Sequence, residues 1–211
     1  MDILYFDELE STQTYLLEQL NAKRVATPIA VMAKQQTKGI GSRDNQWEGG
    51  KGNLFFSIAI DLDDLPNDLP LSSASIYFSF IMKEVLKDFS DEIWLKWPND
   101  LYKNEDKIGG TITKKTDTIL VCGMGINLQK NENGFEALNL NIEPTKLLEV
   151  YLLRLETYPS WKQVFSEYRI EFQRSKHFFT HIEGQYISLE NAILWEDGSL
   201  IIDNKRVYNL R

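Results

Sequence analysis

The chain has 211 residues, 43% of them apolar and 12% aromatic, which is ample for a packed core and excludes a disordered chain. Its 31 acids against 23 basic residues leave a net charge of −8; this argues against nonspecific nucleic-acid binding and confines anion handling to local cations and backbone amides. A single cysteine, Cys122, excludes an internal disulfide and fits a reducing compartment. The first residues, MDILYFDELEST, carry acids where a signal peptide needs a basic region. No window approaches the roughly 18 apolar residues of a membrane span, so a cytoplasmic protein without membrane contact is expected. The length suits one domain, or one domain with a small appendage.

In chain order, residues 3–6 read as a short strand, and Ser11 or Thr12 caps a helix running to about Lys23, with Tyr15, Leu16 and Leu20 as its apolar stripe. The strand-to-helix junction at 7–12 presents amides and hydroxyls that serve either a ligand or simple capping. Residues 28–35 form a buried-type strand. Residues 36–52 hold five glycines and almost no apolar side chains over 17 positions, which predicts a long functional loop. Its glycines allow close backbone approach and its amides an anion-binding concavity, while Lys38, Arg43 and Lys51 supply positive charge. The loop is neither a Walker loop nor a dinucleotide fingerprint. Trp47 fits two readings, a cap onto the core or a platform for a planar ligand.

Residues 53–60 read as a strand and 61–70 as an acidic loop. The 3.6-residue period of Ile76, Phe80, Ile81 and Val85 predicts a helix over 72–89. Trp94 to Trp97 looks like the end of a strand, Pro98-Asn99-Asp100 is turn chemistry, and 107–114 is a second strand entered through Gly109-Gly110. Lys96 and Lys107 on such a folded-back ribbon fit two readings: solvated charges of a surface hairpin, or two cations facing one pocket that, with an Asp nearby for a metal, suits a phosphate and a second anion. Residues 117–128 make another strand, where Gly123-Met124-Gly125 leaves room against the backbone. Asn127 suits a purine edge or a buried structural role, and Cys122 reads as core rather than nucleophile. Two helices follow over 144–156 and 161–173. Four short strands at 185–189, 192–195, 200–203 and 207–210 then predict a small antiparallel module. His177 and His181, four apart on a possible helix end, read as surface histidines rather than a metal site.

Taken together, Lys96-Trp97-Pro98-Asn99-Asp100-Leu101-Tyr102 and Lys107-Ile108-Gly109-Gly110 match the KWPND…K-[IL]-x-G signature of the biotin protein ligases, which the chain resembles over about residues 5–128. Supporting matches are Glu10-Ser11-Thr12-Gln13 for D-S-T-N, residues 36–47 for Q-x-x-G-R-G-R-x-G-R-x-W, and Gly123-Met124-Gly125-Ile126-Asn127 for G-x-G-I-N. The resemblance implies an α+β fold. A mixed β-sheet with flanking helices, like the catalytic core of class II tRNA synthetases, would span 1–178, and a small SH3-like β-module 179–211. It implies activation of biotin by ATP with Mg²⁺ to biotinyl-AMP, then transfer to a lysine of a biotin carboxyl carrier protein of acetyl-CoA carboxylase or another biotin-dependent carboxylase. The winged-helix repressor domain of many relatives is not expected here, nor is DNA binding, and the protein would be a monomer or homodimer.

By the same likeness, Lys107, Lys96 and Arg43 would be catalytic. Ser11, Thr12, Gln13, Gln36, Gly39, Ile40, Gly41, Ser42, Lys107 and Gly110 would bind biotin. Arg43, Trp47, Lys96, Asn99 and Asn127 would bind ATP and the adenylate, and Asp100 the magnesium. The glycine loop departs from the pattern. The two arginines of G-R-G-R fall on Ile40 and Ser42, that of R-x-W falls on Asn45, and the following S-P-x-G becomes Gly49-Gly50-Lys51-Gly52. Arg43, aided by Lys38, is expected to replace the lost charges; the competing reading is that the amides of 39–42 suffice. Two other functions stand beside the ligase: a lipoate–protein ligase or lipoyl transferase, which lacks KWPND, and a noncatalytic biotin or biotinyl-AMP sensor, against which the intact Lys96, Asp100 and Lys107 speak.

Overall fold

Strand β1 (Asp2–Leu9) and strand β2 (Ile29–Ile40) pair in parallel, joined by helix α1 (Thr12–Asn21), the kind of crossover that parallel strands require. The Ser11 hydroxyl caps α1 by accepting from the Thr14 N–H at 3.3 Å. The computed structural model describes residues 1–41, 46–129, 137–140, 142–182 and 184–208, with the backbone alone at 48 and 49.

After β2 the chain adds strands β3 (Gln46–Gly49), β4 (Leu54–Asp61), β5 (Ile93–Lys96), β6 (Asp100–Lys103), β7 (Asp106–Thr116) and β8 (Ile119–Ile126). All of these pair antiparallel, in the order β1-β2-β4-β8-β7-β6-β5 with β3 laid back on β2, which makes the large sheet mixed. The stretch 36–52, expected as a loop, is therefore in part a hairpin: β2 continues to Ile40 and β3 returns, pairing Gly39 with Trp47.

Three helices cover one face of this sheet: α2 (Ala74–Lys87), α3 (Pro144–Leu155) and α4 (Trp161–Ser175). Alternate strand residues such as Met32, Phe56, Ile58, Cys122 and Met124 point into that main core. The intervening residues Val31, Ala59 and Val121 face α1 and a smaller apolar cluster around Leu16. Further along the same α1 face the side chains shrink to Ser57, Gly123 and Gly125, and the sheet is hollowed.

The carboxyl-terminal part is strand-rich: β9 (Phe179–Ile182) pairs with β10 (Gln185–Ser188), and β11 (Ile193–Leu194), β12 (Leu200–Ile202) and β13 (Lys205–Val207) form a three-stranded sheet. Strand β9 was not expected, and His181 stands on it against the Tyr186 ring rather than on a helix end, because α4 stops at Ser175. The turn between β11 and β12 ties these strands to the large sheet. Its carbonyls at Glu196, Asp197 and Gly198 accept from Trp161 Nε1 (2.8 Å), the Ser73 hydroxyl and Trp97 Nε1 (2.9 Å). Among the described residues, no helix is long and apolar enough to cross a membrane.

Candidate active site

The strand register places the chemistry in rows. Lys96 pairs with Asp100, Asp100 with Gly110 and Gly110 with Gly125, so four strands contribute one row across the sheet. A second row runs Ile112–Gly123–Ser57–Val31. Both rows lie on the hollowed α1 face, and their members Asp100, Gly110, Gly125, Ile112, Gly123 and Ser57 line a cavity of about 320 Å³.

Lys107 reaches this face through an irregularity. Leu101 pairs with Gly109 and Tyr102 with Lys107, so Ile108 is an extra residue on β7, a β-bulge. Counted from Gly110, strict alternation would turn Ile108 to the cavity and Lys107 to the core; the extra residue reverses this, and Ile108 is fully buried in the core. Gly109 answers the crowding: a Cβ there would stand 2.7 Å from Ile126 Cδ1 and 2.9 Å from the Gly125 carbonyl oxygen. The Lys107 ammonium lies 2.7 Å from Asp100 Oδ1 and 5.7 Å from the centre of the Trp47 ring. Lys96 Nζ lies 3.9 Å from Asp100 Oδ2 and 5.6 Å from the Tyr102 ring centre. Burial pushes the Tyr102 phenol up to about 12, with Asp100 adding to the shift, so the hydroxyl is neutral near pH 7 and is no base.

The opposite end is a polar cluster built on the α1 cap. Gln36 Oε1 accepts from the Thr12 N–H (2.7 Å) and the Thr12 hydroxyl (3.1 Å), and Thr12 Oγ1 lies 2.9 Å from Ser57 Oγ. A backbone N–H can only donate, which fixes the Gln36 oxygen towards Thr12. With the Thr12 hydroxyl donating to Gln36, Ser57 donates to Thr12 and keeps its lone pairs for the cavity. Gln13 Oε1 is buried with no hydrogen-bond partner and sits over Gly123, where a Cβ would come within 3.1 Å of it. Trp47 Nε1 and Asn99 Oδ1 are likewise buried and unpartnered. Three residues of the cavity wall thus carry buried atoms that are costly unless a partner completes them.

Trp47 lies flat on the glycine pair. A Cβ on Gly125 would be 2.7 Å from its Cε2 and Nε1, and one on Gly110 would be 3.6 Å from its Cζ3. It thus stands inside the cavity, on a cross-strand pair whose Gly110 comes from the Lys107-Ile108-Gly109-Gly110 match and whose Gly125 comes from the G-x-G-I-N match. Asn127 lines the cavity as well, with its N–H bonded to the Ile108 carbonyl at 2.7 Å.

Of the residues expected in the site, Ser11, Thr12, Gln13, Gln36, Ile40, Gly41, Trp47, Asn99, Asp100, Lys107, Gly110 and Asn127 line this cavity. Gly39 lies behind it, where a Cβ would stand 2.3 Å from the Trp47 carbonyl oxygen, and Lys96 stands behind Asp100 rather than on the wall. Ser42 and Arg43 lie outside the described residues. Lys38 is exposed and paired with Glu10 at 2.8 Å. Sequence reasoning missed Gln46, Ser57, Thr111, Ile112 and Met124 as wall residues. Ser57 had a signal, as the one polar residue in the run Leu54-Phe55-Phe56-Ser57-Ile58-Ala59-Ile60.

Among the described residues no three His, Cys, Asp or Glu side chains gather into a metal site. Asp100 is engaged by two lysines, so the donor set does not fit a resident, protein-held ion. A divalent ion that takes one protein carboxylate draws its remaining ligands from phosphates and water, and so arrives as part of the nucleotide substrate. Cys122 is buried, and burial holds its thiol well above the ordinary range, in keeping with core packing.

Comparison with known proteins places this site in a family. The crystal structure of the biotin acetyl coenzyme A carboxylase synthetase from Helicobacter pylori with bound biotinylated ATP is 41% identical, covers 98% of this chain and 99% of that chain, and superposes with a TM-score of 0.93. Biotin–protein ligase 2 of Arabidopsis thaliana is 35% identical over 129 residues, which is 54% of this chain and 38% of that protein. The bifunctional ligase/repressor BirA of Escherichia coli is 31% identical over 127 residues, 57% of this chain and 38% of that protein. The chain thus matches under two fifths of the length of these curated relatives. The model of the biotin/lipoate A/B protein ligase family matches residues 5–131, more than half the chain, and the chain belongs to that family.

Proposed function

We propose that this chain activates biotin with ATP and transfers it to a lysine of a biotin carboxyl carrier domain, from acetyl-CoA carboxylase or another biotin-dependent carboxylase, in the cytoplasm. One observation carries the choice of substrate within the family. The end of the cavity built on Thr12, Gln13, Gln36 and Ser57 is rich in acceptors, with the Gln13 oxygen unpartnered. A cyclic urea brings two N–H donors to such a cluster, whereas the dithiolane of lipoate brings none and would strand a buried acceptor at a cost of about 1–3 kcal/mol. The biotinylated ATP bound in the Helicobacter pylori structure supports the same reading.

In the first step a biotin carboxylate oxygen attacks the α-phosphorus of ATP. The bond from that phosphorus to the bridging oxygen breaks, and pyrophosphate leaves. In the second, a carrier lysine amine attacks the acyl carbon, AMP leaves, and the amine's proton passes to water. Both nucleophiles belong to substrates, so the enzyme's task is to neutralise and align. Lys107, at the cation end of the cavity, offsets the charge where carboxylate and α-phosphate meet. Lys96 serves the phosphates from behind Asp100, and Asp100 orients both ammonium groups. Trp47 and Asn127 hold the adenine, Asn99 the adenylate, and Arg43 adds a guanidinium from the glycine-rich segment. The ligase unit is residues 1–178, and 179–211 form the appended module.

Incubation with ATP, magnesium, labelled biotin and a carrier domain tests the reading. Label on the carrier supports the ligase, bound label without transfer supports a sensor, and no use of biotin reopens the lipoyl option. Lys107→Ala is expected to slow adenylate formation by roughly a hundredfold or more, the scale of losing one preorganised charge partner. Normal transfer by that variant would sink the site assignment while leaving the function standing.

A further inference from the structure

Lys96 ends β5, and β5 is an outer edge of the large sheet. An edge strand leaves alternate N–H groups without sheet partners, and nothing within the sheet fixes its outer side. Here helix α4 closes that side. The Trp97 N–H donates to Ser175 Oγ at 3.1 Å, and the Trp97 indole N–H donates to the Gly198 carbonyl at 2.9 Å. Trp97 is 2% exposed and Ser175 fully buried, so water cannot replace either bond. One turn earlier on α4, Glu171 lies 3.3 Å from the buried Lys83 ammonium. Burial pushes the Glu171 acid up, against the pull of Lys83 and of the Leu95 N–H of β5.

Trp97 joins Lys96 to the turn that carries Asn99 and Asp100. Fixing its backbone and its ring therefore fixes the origin of the Lys96 side chain and the entry to the Asp100 turn. The helix that supplies Ser175 is itself anchored at its far end. Asp68 accepts from the Trp161 and Lys162 N–H groups, each at 3.0 Å, and the Trp161 indole N–H bonds the Glu196 carbonyl. None of these groups lines the cavity, so their effect on chemistry must pass through Lys96 and Asp100.

We propose that Ser175 is a positioning residue for adenylate formation, holding Lys96 in register through the backbone of Trp97. The inference rests on the biotin-ligase reading, and it predicts a division between substrates. The ureido end of the cavity is built on α1, β2 and β4, remote from β5, and is untouched by a shift of Trp97. The phosphate end depends on Lys96.

The experiment measures biotin-dependent ATP–pyrophosphate exchange, biotin affinity in the absence of ATP, and melting temperature, for the whole chain. In Ser175→Ala, which leaves the buried Trp97 N–H without an acceptor, exchange at saturating biotin is expected to fall roughly tenfold or more, the scale on which small misplacements of a positioned group act. Its biotin affinity stays within about twofold of the parent's, and Ser175→Thr, which keeps the oxygen, recovers exchange. A lower melting temperature with normal exchange, or a parallel loss of biotin affinity, overturns the proposal. If Ser175→Ala does not fold, Ser175→Cys, which keeps a side chain of similar shape but offers the Trp97 N–H only a weak sulfur acceptor, is measured instead, and the same division between exchange and biotin affinity decides. A parent protein that shows no biotin-dependent exchange overturns the ligase reading instead.

Discussion

Gly110 and Gly125 face each other across β7 and β8, and the Trp47 indole rests on the pair. The contact is close enough that even a methyl group on Gly125 must move the ring, since it would meet ring atoms at 2.7 Å. Gly125→Ala is therefore expected to weaken ATP binding by roughly tenfold, equivalent to about 1.4 kcal/mol, and to leave biotin affinity nearly unchanged. Equilibrium titration of each substrate checks this; an equal loss for both would mean that Trp47 does not sort the two. At this scale much was legible in the sequence. Thr12, Gln36, Trp47 and Lys107 announced themselves through ordered motifs. Ser57 did not, because one serine in a buried apolar strand usually answers a local packing need. Only the pairing of β4 with β8 brings it opposite Gly123.

Among elements, the strands and helices were found close to where periodicity put them, as with α3 starting at Pro144 and α4 at Trp161. Besides strand β9, two features of the site escaped. The glycines of residues 36–52 disfavour strand structure locally, yet β2 runs to Ile40 because β3 folds back to pair with it, a decision made by long-range pairing and not by propensity. The bulge at Ile108 escaped for the same reason: register belongs to two strands at once, and the orientation of Lys107 follows from it. The turn that ties β11 and β12 to the large sheet gives an element-scale prediction. Gly198 has φ of +79°, and a Cβ there would stand 2.2 Å from Ser73 Oγ. Gly198→Ala combines a left-handed side chain with that clash, a loss of about 2 kcal/mol or more. The melting temperature should then fall by roughly 4–8 °C. An unchanged value would mean that the turn does not bear on the fold.

For the whole molecule, the junction between the large sheet and the terminal strands carries a pH dependence. Burial raises the Asp197 carboxyl, but hydrogen bonds from Ser199 and the Arg206 guanidinium (2.8 Å) outweigh it and hold the acid below its ordinary range. A carboxyl lowered in the folded state stabilises above its unfolded value, near 3.8, and that contribution disappears as pH falls through the folded value. The parent should thus melt above Asp197→Asn at pH 6, with the difference closing below about pH 4. A difference that stays constant across this range would refute the linkage. Composition alone could bound charge and compartment but could not reveal this junction, because Asp197, Ser199 and Arg206 meet only when the three-stranded sheet forms.

The chain holds five tryptophans, and among the described residues Trp47 alone of them lines the cavity. Trp94, Trp97 and Trp161 are buried in the core, and Trp195 stands on the outer surface. An indole lying on bare backbone with its N–H unsatisfied is an optical probe set inside the substrate pocket. On the proposed reading, arrival of a nucleotide changes its surroundings, and among the described residues no other indole lines the cavity. On that reading the molecule can therefore report the arrival of its nucleotide by intrinsic emission, with no added label.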